Sequence, residues 1–377
     1  MLQTVDIVAT AALPWRTGTA VLALLRAFYL ARCGLDVQLH LPWIPPEQQP
    51  ALFGEGRIFA SEEDQAAHIR SSLPEPGCPG LHLVFYPARY RASLGSILPA
   101  CSLPRRLRVC DWLILEEPEH LNWTRPWSDY RRVSPRITGI LLTNYRYYCA
   151  HALPAAPWVA DLLERYDRWL TRRHCDDWIV LGNSICGLPN ARRFLSSGIH
   201  PEFFAHAGRA GGDGGLYFMG KLIWEKGFRE LIDLLAADEH PEVDVFGAGR
   251  DREAIGDHAR ARGVGLRFKG LSARPAQDIA PYKIFVNPSR SEGLCTTTAE
   301  ALGQRKFVIL PRDVSNEPYY PFENALIYDS PEGFQACLRF ALTHQPAADP
   351  LETSLSWESA IDRLLENRWP PDRSEPL

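Results

Sequence analysis

The chain has 377 residues, 46% hydrophobic and 23% charged, with a net charge of −4, long enough for two domains that each bury a core. That balance excludes a disordered chain and argues against general affinity for nucleic acid, which needs a basic surface. Nine cysteines (33, 78, 101, 110, 149, 175, 186, 295 and 337) form no C-x-x-C pair, which points to a reducing compartment and away from structural zinc. No apolar run approaches the roughly 18 residues of a membrane span, and the start MLQTVDIVAT reads as a strand rather than a targeting peptide. The protein is therefore expected to act where it is made, or on a membrane face open to that compartment.

The first elements form a βαβ unit: a strand at residues 5–8, a helix over about 20–32 closed by Gly34, and a strand at 37–39. Between them, Thr17-Gly18-Thr19 either presents backbone N–H groups to an anion or simply starts the helix. Residues 113–123, LILEEPEHLNW, end a strand in a dense polar cluster that includes Glu116, Glu117, Glu119, His120 and Asn122. Loops after parallel strands are where α/β enzymes place their chemistry. A further strand at 138–142 ends in Thr143-Asn144-Tyr145, and residues 157–173 read as an amphipathic helix. Its apolar side carries Trp158, Val159, Leu162, Leu163, Tyr166, Trp169 and Leu170, and Arg165, Arg168, Arg172 and Arg173 lie near the other face. Either core packing or docking on a membrane surface accounts for such a helix.

A domain boundary is predicted at the Gly-rich connector 208–215, after which residues 216–219 begin a second α/β alternation. The segment GKLIWEKG follows, with Lys221 and Lys226. Only five of the 41 basic residues are lysine, all between 221 and 306, so these lysines are candidates for roles that need a compact point charge. A phosphate-binding P-loop is rejected, because Leu222 stands where a magnesium-holding Ser or Thr is required. The turn Gly247-Ala248-Gly249 lacks the third glycine of a dinucleotide fingerprint.

Residues 282–308, YKIFVNPSRSEGLCTTTAEALGQRKFV, organise the second half as strand, loop, helix and strand. The helix start leaves unpaired N–H groups next to Gly293, where phosphates can approach. Glu292 and Glu300, eight positions apart, flank that anion site, and their natural partners are hydroxyls rather than phosphate. A diphosphate with sugar hydroxyls on either side describes a nucleotide-sugar.

The arrangement NPSRSEGL…AEAL resembles the E-x7-E donor motif of the retaining glycosyltransferases of family 4. EEPEHLNW, TNY and LPWRTGTAVLALLRAFYLA resemble, more narrowly, the digalactosyldiacylglycerol synthases of plants and algae, and the likeness covers about residues 5–365. It implies an α/β chain with two Rossmann-like domains facing a cleft, the glycosyltransferase-B fold. The expected layout is an acceptor-side domain at 1–207, the connector, a donor domain at 216–356, a closing helix at 357–369 that packs back toward the first domain, and a disordered tail at 370–377.

The resemblance implies that Glu292 sits by the donor sugar, Glu300 holds the ribose, and Lys221 and Lys226 grip the diphosphate. Glu292, Lys221 and Lys226 become the catalytic candidates. Gly18, Thr19, Gly220, Gly293, Leu294, Cys295, Thr296 and Glu300 join the lysines as donor-binding candidates, with residues 266–270 at the nucleobase and His120, Asn144 and Tyr145 at the acceptor or a sugar. The implied reaction moves galactose from UDP-galactose to monogalactosyldiacylglycerol with retention, the leaving phosphate deprotonating the acceptor. No D-x-D motif suits a metal, so neither metal nor cofactor is expected. The implied place is a membrane surface, on the cytosolic side of a plastid outer envelope or on a bacterial cytoplasmic membrane. Two departures stand out: Leu142 replaces the histidine that relatives commonly have before T-N-Y, and the glutamate loop reads EGLC rather than EGFG. Another UDP-hexose, a different lipid or soluble acceptor, or a nucleotide-sugar-binding pseudoenzyme remain the alternatives.

Overall fold

The computed structural model describes residues 2–15, 17–53, 57–75, 77–153, 155–181, 188, 191–194, 197–209, 215–290 and 295–366. Two compact α/β units divide the chain. The first holds an eight-stranded sheet built from β1 (Thr4–Val8), β2 (Asp36–Trp43), β3 (Leu81–Arg91), β4 (Ser96–Pro99), β5 (Trp112–Glu116), β6 (Ile137–Leu141), β7 (Asp177–Leu181) and β8 (Arg192–Phe194). Their order across the sheet is β4-β3-β2-β1-β5-β6-β7-β8, parallel except for the β3–β4 pair. β1, β5 and β6 are almost wholly buried, as strands of a parallel sheet covered on both faces are. The helix Gly18–Arg32 is capped by Thr17, whose hydroxyl accepts from Ala20 N–H at 3.3 Å, and ends where Gly34 takes a φ of +86°.

The second unit carries β9 (Leu216–Met219), β10 (Val243–Phe246), β11 (Leu266–Gly270), β12 (Ile284–Val286), β13 (Phe307–Pro311) and β14 (Ala325–Tyr328), all parallel, in the order β11-β10-β9-β12-β13-β14. The helix Phe228–Leu235 buries Phe228, Leu231, Ile232 and Leu235 against one sheet face, with Val243, Val286 and Ile309 in the same cluster. Tyr217, Phe285, Ala299, Leu302 and Val308 form the core of the other face.

The boundary between the units falls earlier than the glycines suggest. Residues 197–207 belong to the second unit: Ile199 and Phe203 are buried in its core, and Ile199 N–H donates to Leu355 O at 2.9 Å. Apolar burial there outweighs the glycine signal, and the heart of the connector, residues 210–214, lies outside the described residues. The closing helix Trp357–Glu366 starts in the second unit, where Trp357 packs on Gly198, and from Ile361 onward it is grouped with the first. The expected disordered tail lies outside the described residues, and no helix among those described is long and apolar enough to cross a membrane.

Candidate active site

In the second unit β9 has β10 on one side and β12 on the other, so the strand order reverses between β9 and β12. Ligands of open α/β sheets bind outside the carboxyl ends of strands at such a reversal. The loop after β9 carries Gly220, Lys221 and Lys226, and the loop after β12 opens with Asn287-Pro288-Ser289. Gly227 brings the two loops into contact. Its φ is +81°, and a Cβ there would lie 2.4 Å from Pro288 O, so only glycine lets Lys226 sit this close to the second loop. Gly220 lies under Gly247 in the same way, where a Cβ on Gly247 would fall 1.9 Å from Gly220 O. The Gly247-Ala248-Gly249 turn therefore seats the loop after β9 rather than a dinucleotide.

The helix Thr296–Gly303 begins at Cys295, whose side chain caps none of its N–H groups, and its first turn has no acidic residue. Uncapped donors and the helix dipole make that end receptive to an anion. Its start is fixed from behind: Asn287 Nδ2 donates to Thr298 Oγ1 at 3.1 Å, and Tyr319 OH donates to Cys295 O at 2.6 Å. Asn316 Nδ2 donates to Ser289 O at 3.2 Å and Pro311 O at 3.1 Å, anchoring the other end of the glutamate loop. Asn316 and Tyr319 were not among the candidates, because nothing in Ser-Asn-Glu-Pro-Tyr signals which loop it touches. Glu292, Gly293 and Leu294 lie outside the described residues.

Glu300 meets solvent over part of its side chain, yet protein encloses its carboxyl, and that burial pushes the group up to about 8. Among the described residues no hydrogen bond or ion pair reaches the carboxyl. The other lysines divide. Lys283 Nζ donates to Leu342 O (2.8 Å) and His344 O (3.2 Å), and Lys306 Nζ to Ala280 O (3.2 Å) and Tyr282 O (2.5 Å), so both are buried ties between loops rather than phosphate ligands. Desolvation lowers Lys306 to about 7. Lys269 stands 4.0 Å from Asp244.

The first unit has its own reversal, between β1 and β5. Gly18 and Thr19 open the helix after β1, with Thr19 Oγ1 2.9 Å from the capping Thr17 Oγ1. At the end of β5 the buried Glu116 pairs with Arg26 of that helix at 2.8 Å, and burial still raises its carboxyl above the ordinary range. The short helix Pro118–Asn122 packs over β6 because Gly139 has no side chain; a Cβ there would fall 2.9 Å from Pro118 Cγ. Asn144 caps the helix Tyr145–Ala152 by accepting from Tyr147 N–H at 3.0 Å. His120 does not present itself as an open sugar contact. It is 4% exposed, stacked on Tyr145 at 5.8 Å and 10° and packed edgewise on Trp123, and desolvation lowers its basicity. The centre of the cluster is Glu117, which accepts hydrogen bonds from Thr10 (2.7 Å), Thr143 and Tyr145 (2.9 Å). Glu117 and Thr10 were missed as site residues, because their partners come from three loops remote in sequence.

The helix Pro157–His174 buries only Ala160, Leu170, Thr171 and His174. Core packing covers only part of its apolar side: Leu170 is fully buried, but Trp158 is 66% and Leu162 59% exposed, and the neighbouring Trp127 is 71% exposed. Arg173 lies over the Trp127 ring at 4.5 Å.

No protein-family model matches the chain. It is 36% identical over 382 residues to digalactosyldiacylglycerol synthase 1, chloroplastic, of Lotus japonicus, covering 96% of this chain and 48% of that protein. It is 34% identical to digalactosyldiacylglycerol synthase 2, chloroplastic, of Glycine max, covering 96% of this chain and 82% of that protein. The chain thus spans about half the length of the synthase 1 relatives. Among solved structures it is similar to a lipopolysaccharide outer core galactosyltransferase (TM-score 0.60, 11% identity, 97% of this chain and 100% of that one). A sucrose-phosphate synthase from Thermosynechococcus elongatus gives a TM-score of 0.63 at 12% identity, covering 97% of this chain and 98% of that one. At such identities these two likenesses speak for the fold alone, that of glycosyltransferases with two parallel-sheet α/β domains.

Proposed function

Because the chain belongs to the digalactosyldiacylglycerol synthase family, with the glycosyltransferase-B fold, we propose that it moves galactose from UDP-galactose onto monogalactosyldiacylglycerol. One observation carries the donor half of this reading. Lys226, the start of the Thr296–Gly303 helix, whose N–H groups the Cys295 side chain does not cap, and Glu300, whose carboxyl meets no hydrogen bond or ion pair among the described residues, all belong to elements at the β9/β12 reversal. Positive charge suits a diphosphate, and a carboxyl suits ribose hydroxyls. In this reading Lys221 and Lys226 neutralise the charge that develops on the departing UDP, the step at which electrostatic help counts most, and no metal is required. Glu292 sits by the donor sugar. Asn144 and Tyr145 meet the acceptor or its sugar. Transfer proceeds with retention by front-face attack, the leaving phosphate taking the acceptor proton, so Leu142 in the place of a histidine removes nothing the step needs.

The proposed setting is a membrane surface, on the cytosolic side of a plastid outer envelope. The exposed Trp127, Trp158, Leu162 and Trp169, rimmed by Arg165, Arg172 and Arg173, have the chemistry of a helix lying in a lipid interface. The test of the function is to offer labelled UDP-galactose and UDP-glucose to vesicles containing monogalactosyldiacylglycerol and to soluble galactosides. Galactose transfer to the lipid is expected; transfer to soluble acceptors alone would sink the lipid reading.

A further inference from the structure

We propose that Asp251 is a positioning residue for Lys226, its carboxylate capping the short turn that carries the lysine instead of its own helix. The turn Trp224–Lys226 starts at Ile223, whose side chain has no acceptor to offer the turn's N–H groups. The first donors of a helical turn lack partners within it. Trp224 N–H finds one 27 residues away, donating to Asp251 Oδ2 at 3.1 Å. Asp251 stands at the cap position of the helix Arg252–Ala261, yet its side chain accepts from none of that helix's N–H groups. Aspartate is favoured at such a position because it satisfies one of them. Here that acceptor is committed to the lysine turn.

The backbone makes the same connection. Asp251 N–H donates to Leu222 O at 3.1 Å, and Leu222 N–H donates to Ala248 O at 3.0 Å. Leu222 O comes so close that a Cβ on Gly249 would lie 2.2 Å from it, so any side chain there would push the lysine loop away. Arg250 pairs with Glu225, the residue before Lys226, and its Nε lies 3.6 Å from Asp251 Oδ2. The Trp224 ring is held edgewise to His258 at 5.8 Å and 81°, with Arg229 over it at 4.6 Å. Residues 222, 224 and 225 are thus tied to residues 248–251, while Gly227 is pressed against Pro288 on the far side. Lys226 lies between the two ties. A lysine carries its charge on a long flexible stem, so that charge is well placed only where the backbone beneath it is fixed. The inference rests on the donor role proposed above for Lys226.

The test is a double-mutant cycle on galactosyl transfer from UDP-galactose, with the folding of every variant checked by its melting temperature. Asp251→Ala is expected to lower kcat/KM about tenfold, because a displaced catalytic charge loses much of its effect on the transition state. In the Lys226→Ala background the same change should cost less than about twofold, since the group it positions is already gone. Asp251→Asn keeps an oxygen that can accept the Trp224 N–H and should recover most of the rate. Should Asp251→Ala not fold, Asp251→Ser, whose oxygen is one bond closer to the backbone, is read the same way. An equal loss in the native and Lys226→Ala backgrounds marks a purely structural role and overturns the proposal, as does an Asp251→Asn enzyme as slow as Asp251→Ala. A native rate in Asp251→Ala beside a slow Lys226→Ala overturns the proposal and leaves the donor site standing. A native rate in Lys226→Ala defeats the donor role itself, and this inference with it.

Discussion

Lys226 and Glu300 answer to different physics. In the proposed reaction Lys226 works through charge: replacing it with alanine would remove a cation from the departing diphosphate, for which a loss on the order of 10²-fold in kcat/KM is expected. Turnover assays on Lys226→Ala and Glu292→Gln check this, and native rates in both would remove the donor site from the β9/β12 reversal. Glu300 works through desolvation. Burial holds its carboxyl near 8 against an ordinary 4.5, so between those values the folded chain binds more protons than the unfolded one. This residue's contribution therefore lowers stability as pH rises from about 4.5, and the loss is complete above about 8. Glu300→Gln cannot ionise, so its melting temperature relative to the native protein should climb between pH 5 and pH 8. A difference that stays flat across that range contradicts the enclosed carboxyl.

At the scale of elements, the helix Pro157–His174 is distinguished by what it leaves uncovered. Its tryptophans at 158 and 169 and Leu162 meet solvent, so little packing is lost when they are changed. Trp158→Ser with Leu162→Ser is accordingly expected to shift the melting temperature by no more than a few degrees, since exposed substitutions cost within about 0.5 kcal/mol each. The same pair should release the protein from sedimenting lipid vesicles. Retained sedimentation at native levels would assign membrane contact elsewhere. The turn at Glu317–Tyr319 shows the opposite economy: Asn316 and Tyr319, both fully buried, spend their polar groups on Ser289 and Cys295, the two ends of the glutamate loop.

For the whole molecule, each unit has its own core and its own sheet reversal, and the nucleotide is proposed to bind at that of the second. UDP at a hundred times its Kd should stabilise the state that binds it by about 2.7 kcal/mol. Hydrogen exchange is expected to slow first in residues 220–227 and 287–303. Protection confined to the eight-stranded sheet would place the nucleotide in the wrong unit.

The sequence alone determined the elements and the spacing of the two glutamates. The helix at Thr296–Gly303, the strands β9, β10 and β12 and the lysine pair after β9 were all legible, because period, glycine placement and E-x7-E spacing are local properties of the chain. Resemblance carried the fold. The tertiary structure decided which loops meet. Gly227 reads as an ordinary turn until Pro288 is found 2.4 Å from where its Cβ would be. Lys306 reads as a phosphate candidate until it is found buried between two carbonyls. Glu117 is one of three glutamates in a row of four residues until β5 lies beside β1 and β6 and the threonines at 10 and 143 converge on it. Neighbours in a parallel sheet are joined by long crossovers, so the loops at their carboxyl ends are far apart in sequence, and only strand order brings them together.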